Sequence, residues 1–224
     1  AISAFPQSFD ESVTSYHFNS EPRVVSFIKD AVIYRADTRV FLPRSWPMTS
    51  DETDLIKALF SYTHCHSIYL MGHAKWSSKP CVMAAIDVFD ESKEQQQLDS
   101  VVVARAADQV EKLDGSLHLL SVVPMSFFTL ELEILSQEEV RSKKLADVTD
   151  KQQRVYSQLA LTQPYTQYVE AGAPYEEIQS TAKRINANLA VIGNVGRTGL
   201  SGLIIGNTAE KILNHLRVDA LITR

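Results

Sequence analysis

All eight glycines of this 224-residue chain lie at or after Gly72, and five of them fall between Gly193 and Gly206. Glycine permits close approach of backbone to a ligand, so loops that cradle phosphate nearly always need it. Any phosphate site therefore belongs to the second part, and the glycine-free first 71 residues cannot build an ordinary one. Between the apolar runs Ser67–Met71 and Cys81–Ile86, the polar stretch His73–Pro80 reads as a linker. The expected division is a front part over 1–72, a linker over 73–80 and a complete domain over 81–224.

The second part alternates two periodicities. Cys81–Asp87 is a short apolar run ending in an acid, as a buried strand does. In residues 91–113, Val103, Ala106, Val110 and Leu113 fall 3, 4 and 3 apart, the spacing of one helical face, and Asp114-Gly115 stops the helix. Leu117–Val123 is the next apolar run, ended by Pro124, and the charged residues 136–160 predict another helix. Pro164–Glu170 has strand composition. Ala173–Ala187 opens with Pro174, Glu176 and Glu177, which suit a helix N-terminus. Leu189–Ile192 reads as a buried strand, 207–216 as a helix with Ala209, Ile212, Leu213 and Leu216 on one face, and Val218–Thr223 as the last strand. Five strand–helix alternations predict an α/β fold: a parallel sheet covered on both faces. Ligands of such folds sit beyond the carboxyl ends of the strands, here near Asp87, Val122 and Gly193.

After Leu189–Ile192 comes Gly193-Asn-Val-Gly196-Arg197-Thr-Gly199-Leu-Ser-Gly202-Leu-Ile-Ile-Gly206-Asn207-Thr208. This is neither the G-x-G-x-x-G fingerprint nor a P-loop, since no Gly-Lys-Ser/Thr follows. It nonetheless suits phosphate: a glycine-rich turn leaves a strand, and Gly206-Asn207-Thr208 opens a helix whose first N–H groups lack intrahelical partners. Arg197 reads equally well as a charge-assisted ligand contact or as a solvated loop residue.

Here the chain resembles the universal stress protein family, whose signature is Gly-x2-Gly-x9-Gly-Ser/Thr. Gly193, Gly196 and Gly206 match it in spacing, and AAID, LLSVV, VEAGAP, AVIGNVGRTGL, IIGNTAEKIL and VDALITR extend the resemblance over residues 80–224. The resemblance implies a Rossmann-like open sheet of five parallel strands in the order 3-2-1-4-5, with helices on both faces. It implies that Asp87 holds the adenosine, that the Val122 backbone contacts adenine, and that Gly193, Gly196, Gly206 and Asn207 form the ribose and phosphate loop. Asn207 departs from the family, whose ATP-binding members carry Ser or Thr there; an Asn can still cap a helix and donate through its amide. ATP or another adenine nucleotide is the implied ligand, with Mg²⁺ accompanying it.

The first part fits as a worn copy. Glu52–Leu59 matches a last helix, His64–Met71 a closing strand, Ala31–Arg35 a fourth strand and Ile2–Phe5 a second. That order resembles tandem members of the family, in which two halves form an internal pseudo-dimer; a homodimer is the other arrangement.

The remaining features exclude more than they add. The net charge of −5 gives no pull toward nucleic acid or anionic lipid, and no apolar run approaches the roughly 20 residues that cross a bilayer. Two cysteines, Cys65 and Cys81, make no disulfide framework or zinc set, so no structural metal is expected. His64-Cys65-His66 lacks a third ligand, and Ser180-x-x-Lys183 lies mid-helix with no partner motif. Met125, Phe127 and Phe128 read as core. Ala1–Pro6 lacks the features of a secretory signal, and a cytoplasmic setting is the expectation. Three functions compete: non-catalytic binding of an adenine nucleotide or related phosphorylated ligand in a stress response, a slow ATPase using Asp87 as base or Mg²⁺ ligand, and a scaffold whose nucleotide site is lost.

Overall fold

The structure, a computed structural model, describes residues 40–43, 48–61, 67–72, 76–125, 136–194 and 207–224. Within them the chain forms seven strands: β1 (Val40–Pro43), β2 (Ser67–Met71), β3 (Cys81–Ala85), β4 (Ser116–Pro124), β5 (Tyr165–Gly172), β6 (Leu189–Gly193) and β7 (Asp219–Thr223). The helices are α1 (Ser50–Ser61), α2 (Lys93–Leu113), α3 (Gln137–Gln158), α4 (Pro174–Arg184) and α5 (Asn207–His215).

All seven strands join one sheet, in the order β1-β2-β7-β6-β3-β4-β5. The strands β3 to β7 are mutually parallel, and β1 is parallel to β2. At the junction of the two groups β2 runs antiparallel to β7, with Ser67 opposite Thr223 and Leu70 opposite Ala220. The sheet thus holds seven strands among the described residues: β3 to β7, in the order β5-β4-β3-β6-β7, are the five of residues 81–224, and β1 and β2 extend it beyond the expected five. The outer edge of β7 would otherwise present unpaired N–H and C=O groups, and the front part satisfies them with β2. Val40–Pro43, parallel neighbour of β2, was not foreseen as a strand; the strands expected at Ala31–Arg35 and Ile2–Phe5 lie outside the described residues.

The strands are buried on both faces, which is why they read as apolar runs rather than alternations. Along β4, Leu117, Leu119 and Val123 face one core, while Leu120 and Val122 face the other. The first core is covered by α2 through Val102, Val103, Ala106 and Val110, and by α3 through Val148 and Tyr156. The second is covered by α1 (Ile56, Leu59, Phe60), α4 (Ile178, Ala182) and α5 (Ala209, Ile212, Leu213). Lys57 of α1 and Glu210 of α5 pair at 3.2 Å across the outside of this layer.

The helix ends follow local chemistry. Ser92 caps α2 by accepting from the Gln95 N–H, and Ser136 with Glu139 forms a reciprocal capping box on α3. Pro174 occupies the first turn of α4, where its missing N–H costs nothing. At the C-terminus of α2 it is Asp114, at φ 49°, that takes the left-handed conformation. Gly115 serves a different purpose: a Cβ there would sit 2.4 Å from the Pro80 carbonyl oxygen, which accepts the Ser116 N–H. Pro80 thus packs directly on the start of β4.

Candidate functional site

The helices α2 and α3 leave the sheet on one face, and α4 and α5 on the other. The change of face falls between the neighbouring strands β3 and β6, so the chain parts there at the carboxyl edge of the sheet. A crevice at this point is where an open α/β sheet takes its ligand. The strand β3 ends at Ala85, level with Ile192 of β6 and Leu120 of β4, and the Ile86 N–H still donates to the Leu120 carbonyl. Beyond it β4 continues to Pro124, paired only with β5 on its other side. Val122 therefore flanks the gap left by β3, half-buried against the α4–α5 core.

Asp87 lies one residue past the last sheet bond of the β3 chain, with its carboxylate exposed. One carboxylate oxygen accepts the Phe89 N–H at 3.1 Å, an Asx turn that starts the path to α2. The backbone N–H of Asp87 points inward and donates to Asp99 Oδ1 at 3.1 Å. Asp99, in the second turn of α2, is only 3% exposed and also accepts from Gln95 Nε2 at 2.7 Å. Burial pushes its carboxyl up to about 6, with help from the Asp87 and Asp90 charges and against the lowering effect of its two hydrogen bonds.

Gly193 ends β6 beside this turn. The side chain of Leu98 covers its Cα so closely that a Cβ would meet Leu98 Cδ2 at 2.6 Å. The next N–H, from the buried Asn194, donates to the Thr223 carbonyl at 2.7 Å and holds the chain to β7 as it leaves the sheet. Two adjacent residues of α2 thus contact both strand ends: Leu98 packs on Gly193, and Asp99 bonds to Asp87.

The structure brings Asp87, Val122 and Gly193 to one edge of three neighbouring strands. Asn207 and Thr208 form the first turn of α5, which lies between the parallel strands β6 and β7 and so begins at that same edge. Gly196, Arg197 and Gly206 lie outside the described residues, as do His64-Cys65-His66, Phe127 and Phe128. Ser180 and Lys183 are both exposed on α4, away from this edge of the sheet. Met125 packs against the α2–α3 core. Among the described residues no group of three or more His, Cys, Asp or Glu side chains is placed to hold a metal, and no helix is long and apolar enough to cross a membrane. Burial pushes the Cys81 thiol up to about 11, which leaves it protonated and a poor nucleophile.

Asp99, Gln95 and Leu98 were not singled out from the sequence. The signal was present: Asp99 extends the stripe Val103, Ala106 and Val110 backward by one turn, so an acid stands where that face is otherwise apolar.

These features define a doubly wound α/β protein whose topological switch point lies between β3 and β6. The chain belongs to the universal stress protein family, which its residues 82–224 match. It is 25% identical over 164 residues to universal stress protein E of Salmonella typhi, an alignment covering 70% of this chain and 50% of the relative. The universal stress protein E homolog of Haemophilus influenzae is 26% identical over 161 residues, with 69% and 50% covered. The chain thus spans about half the length of the curated relatives it matches. Among solved structures, a functionally unknown protein from Pseudomonas aeruginosa PAO1 shares the fold with a TM-score of 0.66 at 21% identity, covering 92% of this chain and 68% of that one. A universal stress protein from Archaeoglobus fulgidus does so with a TM-score of 0.58 at 17% identity, covering 89% and 66%.

Proposed function

We propose that this chain is a non-catalytic, cytoplasmic nucleotide-binding protein of the stress response, which takes an adenine nucleotide at the carboxyl edge of β3, β4 and β6. The observation that carries the reading is the juxtaposition of Asp87 and Gly193 at the switch point, followed by the Gly193–Gly196–Gly206 spacing that leads into α5. In this reading the exposed Asp87 carboxylate accepts from the ribose or base, and the Val122 backbone faces adenine. The phosphates lie along Gly193, Gly196 and Gly206 toward the free N–H groups of Asn207 and Thr208, with Arg197 reaching them. With one oxygen on the Phe89 N–H, the exposed Asp87 carboxylate keeps acceptor capacity that suits a hydroxyl-bearing edge of a ligand. Mg²⁺ bound with a triphosphate would offset charge that the acidic β3–α2 turn otherwise repels.

The front part has a supporting role in the same proposal. The unit β1-α1-β2 repeats the strand–helix–strand order of β6-α5-β7, and the two meet through the antiparallel β2–β7 pair. An internal pseudo-dimer of unequal halves accounts for both features. Only residues 44–49 separate β1 from α1, against 194–206 between β6 and α5, so the front unit has no room for an equivalent phosphate loop.

Calorimetric titration with ATP, after mass spectrometry of whatever co-purifies, tests the proposal. Saturable binding that disappears in Gly196→Val is expected. A protein that carries no nucleotide and gives no heat with ATP or AMP would refute it and favour a scaffold built around the β2–β7 junction.

A further inference from the structure

A buried carboxylate with only two neutral hydrogen-bond donors costs stability, because desolvation of the ion exceeds what those bonds return. Asp99 is such a group: 3% exposed, with both donors, Gln95 Nε2 and the Asp87 N–H, converging on Oδ1. An apolar residue at this place in α2 would continue the stripe of Val103, Ala106 and Val110 and pack on the sheet. What Asp99 supplies instead is an acceptor for an N–H that has just left the sheet. Ile86 makes the last ladder bond, to Leu120, and the next N–H along the chain is that of Asp87.

The turn is fixed at three further points. Asp87 Oδ1 accepts the Phe89 N–H, Asp90 Oδ1 accepts the Ser92 N–H at 2.9 Å, and Ser92 caps α2 through the Gln95 N–H at 3.2 Å. Gln95 then returns to Asp99, which closes a ring of bonds running from Asp87 through the cap and back to the Asp87 backbone. From outside, Lys151 of α3 pairs with Glu91 at 3.1 Å and lies over the Phe89 ring. The Asp87 carboxylate is left exposed while its backbone is tied inward.

From this geometry we propose that Asp99 is a positioning residue for the nucleotide site: its Oδ1 fixes the Asp87 backbone so that the Asp87 carboxylate is held toward the bound ligand. The inference rests on the nucleotide reading above. It requires an oxygen acceptor at position 99 rather than a negative charge, since both bonds go to one oxygen.

The test compares ATP affinity by calorimetry in the wild type, Asp99→Asn and Asp99→Ala, with the Asp87 backbone amide followed by NMR in each. Asn retains Oδ1, so Asp99→Asn is expected to bind within about twofold of the wild type and to keep the downfield Asp87 amide. Asp99→Ala is expected to bind about tenfold more weakly, the loss of one good hydrogen bond, and to move that amide upfield. The conservative rescue distinguishes positioning from general destabilisation, and thermal melts confirm that each variant is folded. Equal binding by Asp99→Ala and wild type, or equal loss in both variants, would overturn the role. A wild type silent toward ATP whose Asp87 amide still moves in Asp99→Ala would sink the nucleotide reading while supporting the positioning of Asp87.

Discussion

The indole N–H of Trp76 donates to Asp219 Oδ2 at 2.6 Å, while the other oxygen of that carboxylate accepts the Gly72 N–H, also at 2.6 Å. Asp219 opens β7 and is 1% exposed, whereas Gly72 directly follows β2 and Trp76 precedes β3. One buried carboxylate therefore ties the exit of β2 to the strand it pairs with. Hydrogen bonds to a buried charge are among the stronger ones. Asp219→Ala is expected to cost about 2–3 kcal/mol in urea unfolding. In a Trp46→Phe background, the Trp76 emission of the same variant is expected to shift to the red, and an unchanged spectrum would count against the bond.

The helix α1 buries Ile56, Leu59 and Phe60 completely in the same core as α4 and α5. If the front part and the rest share that core, Phe60→Ala lowers the stability of the whole chain by about 3–5 kcal/mol. The melt is expected to remain a single transition when followed by far-UV dichroism and by hydrogen exchange in β4. Exchange in β4 unaffected by the substitution would mean that the two parts unfold separately.

Gly115 and Gly193 both lack room for a side chain, but for different reasons. At Gly115 the obstacle is the Pro80 backbone carbonyl, whereas at Gly193 it is the Leu98 side chain, which has rotamers to spare. Gly115→Ala is expected to cost about 2–3 kcal/mol with no second-site rescue by trimming side chains. Gly193→Ala is expected to cost about 1–2 kcal/mol, and Leu98→Ala in the same molecule is expected to recover part of it, a coupling that a double-mutant cycle reads directly. Additive effects of the two would show that Leu98 does not set the space over Gly193.

Burial raises the Asp99 carboxyl from 3.8 in the unfolded chain to about 6 in the folded one. Between those values the folded state holds more protons than the unfolded state, so the contribution of Asp99 to stability is complete below pH 3.8 and is lost as pH rises through 6. The loss is on the order of 3 kcal/mol. Asp99→Asn does not titrate, so its stability relative to wild type is expected to improve between pH 4 and pH 7.5 in denaturant titrations. A constant difference across that range would contradict the raised value.

Much of the domain after residue 80 was legible because its signals are local. The stripe Val103, Ala106 and Val110 marked α2, the proline and acids at 174–177 marked the start of α4, and short apolar runs marked β3, β4 and β6. What escaped is non-local. Val40–Pro43 is a four-residue strand whose existence depends on pairing with β2, and nothing in four residues announces a partner. The extension of the five-stranded sheet by β1 and β2 escaped for the same reason: the sequence marks segments but not which edge each one seeks. Asp114 was read together with Gly115 as one stop, yet the acid bends the chain and the glycine makes room for Pro80. At the candidate site, Asp87, Val122 and Gly193 were found as strand ends, whereas Asp99 was hidden by its place on an otherwise apolar helical face.

The pairing of β2 with β7 also bears on the order in which the molecule forms. The Ser67 and Thr223 hydroxyls meet at 3.4 Å across a separation of 156 positions in the chain. At ribosomal rates of about 5–20 residues per second, β2 would wait roughly 8 to 30 seconds before its partner is synthesised. Contacts between such distant segments come late in folding, because the loop between them must first be closed. During that interval a nascent chain carries one unsatisfied strand edge on an apolar segment, the feature most prone to pairing with a stranger. The junction that completes the sheet is thus also a step at which synthesis leaves a strand edge open to mispairing.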